Sequence, residues 1–294
     1  MDIHPATLDG LISPSEPAAF RLARPARVLS PVIFASPHSG RDYPAAFIAS
    51  ARLDPLALRR SEDGFVDALF GDAPDLGAPL LAAEFPRAYC DANREPWELD
   101  PDMFDSPLPD WVNIASPRVG AGLGTIARVV ANGERIYHRK LPFAEAEQRI
   151  RHCWQPYHAA LSALIAETRD QFGHCLLIDC HSMPTHPSQQ GTPPDMVLGD
   201  AHGTTCAPRA SRLVESFLGD FGYRVQRNDP YAGGYITRHY GRPREGVHVL
   251  QLEVARPLYM DEARIEPHIG MTRLRADMAR LIRALVASNW GFLR

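Results

Sequence analysis

His38 and His181 each follow an apolar run and precede a serine. The first lies in Ser36-Pro37-His38-Ser39-Gly40, reached through Arg27-Val28-Leu29 and Pro31-Val32-Ile33-Phe34-Ala35. The second lies in Asp179-Cys180-His181-Ser182, reached through Leu176-Leu177-Ile178. A short apolar run that ends in polar residues is the pattern of a buried parallel strand opening into a site at its carboxyl end. Two such strands that deliver histidines to one sheet edge point to a shared metal ion. A site with two histidines takes a further protein ligand, commonly a carboxylate. Glu62 and Asp63 are the nearest acids after His38, and the sequence leaves both open.

Other residues would complete a hydrolytic set. Glu253 falls at the carboxyl end of a further strand pattern, Val247–Val254. A carboxylate there can serve as general base toward water, or can simply pair with Arg256. Arg87 and Arg94 lie seven residues apart, with Asn93 beside the second. Guanidinium is a planar fork that grips a carboxylate through two parallel hydrogen bonds, so this group suits a substrate bearing carboxylates. Taken alone, two arginines read first as surface ion-pair partners. The stretch from Tyr231 to Gly241 reads as a glycine-flanked loop that can approach a ligand closely. His202 reads as turn polarity, His152 and His158 as surface residues, and Cys180 as a small buried residue of its strand.

These groups need a scaffold that gathers strand ends. Strand patterns alternate with helical ones, which predicts an α/β fold with a mixed, mostly parallel sheet. Further strands are predicted at 80–83, 196–199 and 223–225. Helical spacing covers about 55–70, 143–172, 208–218 and a long amphipathic segment from Ile269 to Leu285. Pro156 should kink or break the second of these. Residues 99–135 read as loop, and their glycines do not form a dinucleotide fingerprint after a strand. Residues 1–26 are expected to form an irregular arm, and residues 27–294 one α/β domain.

The chain has 294 residues, 45% of them hydrophobic, so it can bury a large core. A net charge of −4 without a basic run argues against nucleic acid as a partner. No apolar stretch approaches the roughly 20 residues needed to span a bilayer, and no signal peptide is read at the N-terminus. Five cysteines without a CxxC pair argue against a disulfide scaffold and a zinc knuckle, leaving a reducing cytoplasm as the default.

Six stretches, in order, resemble the N-formylglutamate amidohydrolase family. They are Pro37-His38-Ser39-Gly40, Glu62-Asp63-Gly64-Phe65-Val66-Asp67, Asp91-Ala92-Asn93-Arg94, Asp179-Cys180-His181-Ser182, Gly233-Gly234-Tyr235-Ile236-Thr237 and Leu250-Gln251-Leu252-Glu253. The resemblance runs from about residue 28 to 286. It implies a three-layer, phosphorylase/hydrolase-like domain related to zinc carboxypeptidases. It also implies cleavage of N-formyl-L-glutamate, a small acidic N-acyl amino acid, to formate and glutamate as the last step of one histidine-degradation route. The metal it implies is one Zn2+, or another divalent ion, held by His38, His181 and Asp63, with Glu62 as the alternative to Asp63. It implies Glu253 as the general base and acid. It implies Asn93-Arg94 as a carboxylate clamp, and Arg87 polarising the carbonyl or binding a second carboxylate. Tyr235 and Thr237 are the expected substrate contacts of the glycine-rich motif. The chain departs from better-known members around the acidic motif, with Ser61-Glu62-Asp63-Gly64 where they carry Asp-Thr-Asp-Trp. The competing readings are a zinc enzyme for another N-acyl amino acid or peptide, and a non-catalytic binding protein on the same fold. The sequence carries no signal for oligomeric state.

Overall fold

A seven-stranded sheet runs through the residues described by this computed structural model, 19–184 and 192–294. In chain order the strands are β1 (Phe20–Ala23), β2 (Val32–Ser36), β3 (Leu80–Ala83), β4 (Cys175–Met183), β5 (Met196–Gly199), β6 (Val225–Arg227) and β7 (Val247–Ala255). Their spatial order is β1-β3-β2-β4-β7-β5-β6. Pairing is parallel from β3 through β2 and β4 to β7, and between β5 and β6. It is antiparallel where β1 meets β3 and where β5 meets β7. A small ribbon of Met260–Asp261 and Glu266–Pro267 stands apart.

The helices are α1 (Ala45–Ser50), α2 (Pro55–Arg59), α3 (Val66–Leu69), α4 (Pro117–Gly120), α5 (Phe143–Arg149), α6 (Gln155–Phe172), α7 (Pro208–Asp220), α8 (Tyr235–Tyr240) and α9 (Gly270–Ala287). Both faces of the central strands are covered, so β2, β4 and β7 are buried almost throughout and largely apolar, as parallel strands between helical layers must be, with most of their polar residues gathered toward the carboxyl ends of β4 and β7. Ile33, Leu177 and Val249 meet Tyr157, Leu161 and Leu164 of α6 on one side. Phe34, Ile178 and Leu252 meet α3, α7 and α9 on the other. The result is three layers, helices on sheet on helices.

Several sequence expectations change here. Residues 20–23 are not part of an irregular arm: they pair with β3 and close one edge of the sheet. The helix expected over 55–70 is two short helices, α2 and α3, separated by turns over 60–65 that end at Phe65, the residue before α3, in the left-handed region at φ 64°. That break is what frees Glu62 and Asp63 from a helix surface. The helix over 143–172 passes through a π-helical turn, Ile150–Trp154, just before Pro156, whose missing N–H is accommodated there. The expected strand at 223–225 lies instead at Val225–Arg227. Residues 235–240, expected as loop, form α8. Of the loop expected from Pro184 to Pro194, residues 185–191 lie outside the described residues, as do residues 1–18 of the arm.

Candidate active site

Parallel pairing sets the site's geometry. In the β4–β7 register, Asp179 stands opposite Gln251 and His181 opposite Glu253. Residues two apart on a strand share a face, so all four side chains leave the sheet on one side near its carboxyl edge. His38 follows β2, the other neighbour of β4. Its loop can press against the end of β3 because residue 40 is glycine: a Cβ there would come within 2.2 Å of the Phe85 carbonyl oxygen. Asp63 is delivered by the break before α3 and fixed by its backbone N–H, which donates to the His38 carbonyl at 3.0 Å.

These pieces meet. Asp63 Oδ2 lies 3.3 Å from His38 Nδ1 and 2.9 Å from His181 Nδ1, and all three residues are buried. One donor atom from each lies within 4.8 Å of the others. The opposite ring nitrogens are also engaged. His38 Nε2 is 2.8 Å from Asp91 Oδ1, and His181 Nε2 is 3.1 Å from Asp179 Oδ1. A carboxylate behind each imidazole fixes its orientation and leaves Nδ1 facing the centre, the arrangement that metal-binding histidines use. Two buried imidazoles and a buried carboxylate, oriented this way at the floor of a cavity, fit a single divalent ion such as zinc. Burial opposes charge on His181, but Asp179, Asp63 and Glu253 outweigh it and hold its pKa well above the usual value. Burial likewise opposes charge on Asp63, yet His181 and His38 keep it well below the ordinary carboxylate range.

Glu62 turns the other way. It accepts from Tyr43 Oη at 2.8 Å and Arg59 Nε at 3.0 Å, away from the two histidines. Arg256 donates to Asp63 Oδ1 at 3.2 Å and to the Glu62 carbonyl at 2.7 Å, so its ion pair is with Asp63 and not with Glu253. Glu253 accepts from Gln251 Nε2 at 2.8 Å. Burial raises its pKa to about 7, with Asp63 and Asp179 adding and His181 and Arg87 opposing. A buried carboxyl poised near neutrality is suited to taking up and returning a proton.

The cavity above this cluster encloses about 510 Å³, the size of a small-molecule site. His38, Asp63, His181 and Glu253 face it, together with Arg87, Asn93 and Arg94. Asp91 joins the two groups: its Oδ2 accepts from Arg87 Nε at 2.8 Å, and its Oδ1 accepts from the Asn93 backbone N–H at 2.8 Å. Asn93 Oδ1 accepts from the Ile236 N–H at 2.7 Å, and its Nδ2 lies 3.2 Å from His181 Nε2. Gly234 makes room for this, since a Cβ would sit 2.4 Å from Asn93 Nδ2. Arg94 donates through Nε to Leu123 O at 2.9 Å and through Nη1 to Asn93 O at 2.8 Å. Burial, with Arg87 and Arg118 nearby and Asp91 opposing, lowers its pKa to about 10, so it stays cationic at neutral pH.

With the geometry in hand, comparison with known proteins is decisive. A family model for N-formylglutamate amidohydrolase matches residues 30–260. The chain belongs to the N-formylglutamate amidohydrolase family. An N-formylglutamate deformylase of Pseudomonas putida is 32% identical over 270 residues, 89% of this chain and 93% of that protein. The crystal structure of an N-formylglutamate amidohydrolase from Ralstonia eutropha JMP134 superposes with a TM-score of 0.85 at 39% identity, over 92% of this chain and 97% of that one. A protein from Agrobacterium tumefaciens superposes with a TM-score of 0.60 at 18% identity, over 91% of this chain and 94% of that one, and shares the fold.

Within this family member, the sequence-predicted residues divide. His38, Asp63, His181, Glu253, Arg87, Asn93 and Arg94 come together at one cavity. Tyr235 and Thr237 do not reach its wall. The Tyr235 ring stacks on His239 at 4.8 Å, and Thr237 is fully buried beside Asp179 and Gln251. The turn from loop into α8 points them away. His158 is not a surface residue either. It is buried, stacked on Trp154 at 3.8 Å, and its Nε2 donates to Ala92 O at 2.8 Å. His202 is exposed in a turn at φ 59°, and Cys180 is buried within β4. Sequence reasoning gave no role to Asp91, Asp179, Gln251 or Arg118. Asp179 carried a usable signal, because two residues before His181 on a strand means the same face. Arg118 carried none, lying in a stretch read as loop.

Proposed function

We propose that this protein is a zinc-dependent hydrolase that cleaves N-formyl-L-glutamate to formate and L-glutamate. The observation that carries the reading is the convergence of His38, Asp63, His181, Glu253, Arg87 and Arg94 on one cavity, in a chain of this family. His38 Nδ1, His181 Nδ1 and Asp63 would hold the ion. When bound, zinc supplies Lewis-acid polarisation of the amide carbonyl and makes water easier to deprotonate at neutral pH. Arg94 holds a substrate carboxylate and so sets the amide against the histidine pair. Asn93, whose amide is engaged by Ile236, fixes the segment that carries Arg94. Arg87, held by Asp91, faces the formyl oxygen and stabilises the charge that develops there. Glu253 accepts the proton of the attacking water and passes it to the glutamate nitrogen as the C–N bond breaks. Without that proton the nitrogen would depart as an amide anion, a very poor leaving group.

The reading places the enzyme at the end of a histidine-degradation route. It also assigns a cytoplasmic location. Five free, buried cysteines fit a reducing compartment, and among the described residues no helix is long and apolar enough to cross a membrane. The test is release of free L-glutamate, with formate assayed alongside for the first substrate, by purified, zinc-loaded protein offered N-formyl-L-glutamate, N-acetyl-L-glutamate and a C-terminal glutamyl dipeptide. Release of formate, with slower turnover of the other two, is the expected outcome. Preferred cleavage of the dipeptide would replace this reading with a carboxypeptidase-like one.

A further inference from the structure

Among the described residues four arginines face the cavity, and they are not equivalent. Arg87 pairs with Asp91 at 2.8 Å, and Arg256 pairs with Asp63 at 3.2 Å. Arg94 sits 3.8 Å from Asp91 and spends two of its N–H groups on backbone carbonyls. Arg118, on α4, has no carboxylate within ion-pair reach among the described residues. It is also exposed, while Arg94 and Arg256 are buried, so it belongs to the mouth of the cavity.

Its position is nevertheless built. The Ser116 hydroxyl caps α4 by accepting from the Arg118 N–H at 3.1 Å, and Pro117 occupies the first helical position. The Leu123 N–H donates to Arg118 O at 2.8 Å, and the same residue's carbonyl accepts from Arg94 Nε at 2.9 Å. Leu123 therefore ties the deep arginine and the outer one to a single turn. The two cations are close enough that Arg118 helps to lower the pKa of Arg94. Like charges facing one cavity cost energy unless an anion answers both.

Resting on the amide-hydrolase reading for the pose of its ligand, we infer that Arg118 selects substrates that carry a side-chain carboxylate. The reacting nitrogen must lie beside His38, His181 and Glu253. The α-carboxylate, attached to the carbon next to that nitrogen, stays deep and meets Arg94. A glutamyl side chain extends away from the reacting atoms and carries its carboxylate outward, where Arg118 stands. Arg87 is already committed to Asp91 near Glu253 and Asp63, so it serves the reacting carbonyl and not this second carboxylate.

The test is isothermal titration of the full-length protein with L-glutamate and with L-glutamine, which differ only in the side-chain carboxylate. Wild type should prefer glutamate by about tenfold or more. Arg118→Gln should erase most of that preference by weakening glutamate, while the Kd for glutamine moves less than about threefold. Arg118→Lys, which keeps the charge without the fork, should retain part of the preference. Wild type without a preference, or an Arg118→Gln variant that keeps the wild-type ratio or loses both ligands alike, would overturn the assignment. An Arg118-dependent preference in a protein that releases no formate from N-formyl-L-glutamate would support the assignment and remove the amide-hydrolase reading instead.

Discussion

His181 and His158 are both buried, yet their surroundings drive them in opposite directions. His181 stands among Asp63, Asp179 and Glu253, and this acidic company holds it well above the usual imidazole pKa although burial works against it. His158 lies between Trp154 and Tyr240, and burial lowers it to about 4, with the Ala92 carbonyl opposing. One ring sits where positive charge is wanted, whether from a proton or a metal ion. The other is a neutral spacer, with Nε2 donating to Ala92 and Nδ1 engaged with the Tyr240 hydroxyl at 2.9 Å. Burial alone therefore does not mark a chemical histidine; carboxylates on both ring nitrogens do. His158 still serves the site indirectly. It grips the carbonyl before Asn93, and Trp154 Nε1 donates to the carbonyl of Arg94 at 3.0 Å.

The contrast breaks most sharply at His181. His181→Ala should lose bound metal and formate release together, whereas His158→Gln should keep one metal per chain and a rate within about tenfold of wild type. Metal analysis and turnover on the same preparations check this, and a metal-free, active His181→Ala enzyme would refute it. Glu253→Gln is nearly isosteric and touches neither histidine's ring partners. Turnover should fall by about two to four orders of magnitude at unchanged metal content and melting temperature. Retention of more than about a tenth of the wild-type rate would remove Glu253 from proton transfer.

Much of this site was legible because a strand announces its own geometry. Apolar runs ending in His38, His181 and Glu253 located three side chains at one edge, since parallel strands expose their carboxyl ends together. The choice between Glu62 and Asp63 was not legible. It depends on the turns between α2 and α3, which end at the left-handed Phe65, and on Arg59 and Tyr43, which draw Glu62 aside. Why Tyr235 and Thr237 lie outside the cavity wall was not legible for a related reason: glycines suggested an open loop, but the chain enters α8 right after Gly234. Asp91 meets His38 across 53 residues of chain, a contact that no local period encodes, and Arg118 lies in a stretch with no strand or helix pattern to place it.

A smaller effect sharpens the His158 side of the comparison. Its folded pKa is depressed, so between about 6.5 and 4 the unfolded chain binds a proton that the folded one does not. Stability from this group is complete above about pH 6.5 and is lost as pH falls toward 4, by up to about 3 kcal/mol. Urea unfolding of wild type and His158→Gln across that window should show the wild-type loss shrinking in the variant. Parallel pH profiles would contradict it. Smallest of all, Tyr235→Phe should leave KM for N-formyl-L-glutamate within about twofold, because the ring packs outside the cavity. A rise of tenfold or more would return Tyr235 to the substrate.

If His38, Asp63 and His181 hold one catalytic metal ion, hydrolysis depends on that ion and on one equivalent of it. The direct measurement is formate release from N-formyl-L-glutamate by wild-type protein stripped with a chelator and then titrated with zinc. Activity should vanish on stripping and return in proportion to added zinc, reaching its plateau at about one equivalent per chain. Full turnover by the stripped protein, with no metal detectable, would contradict it.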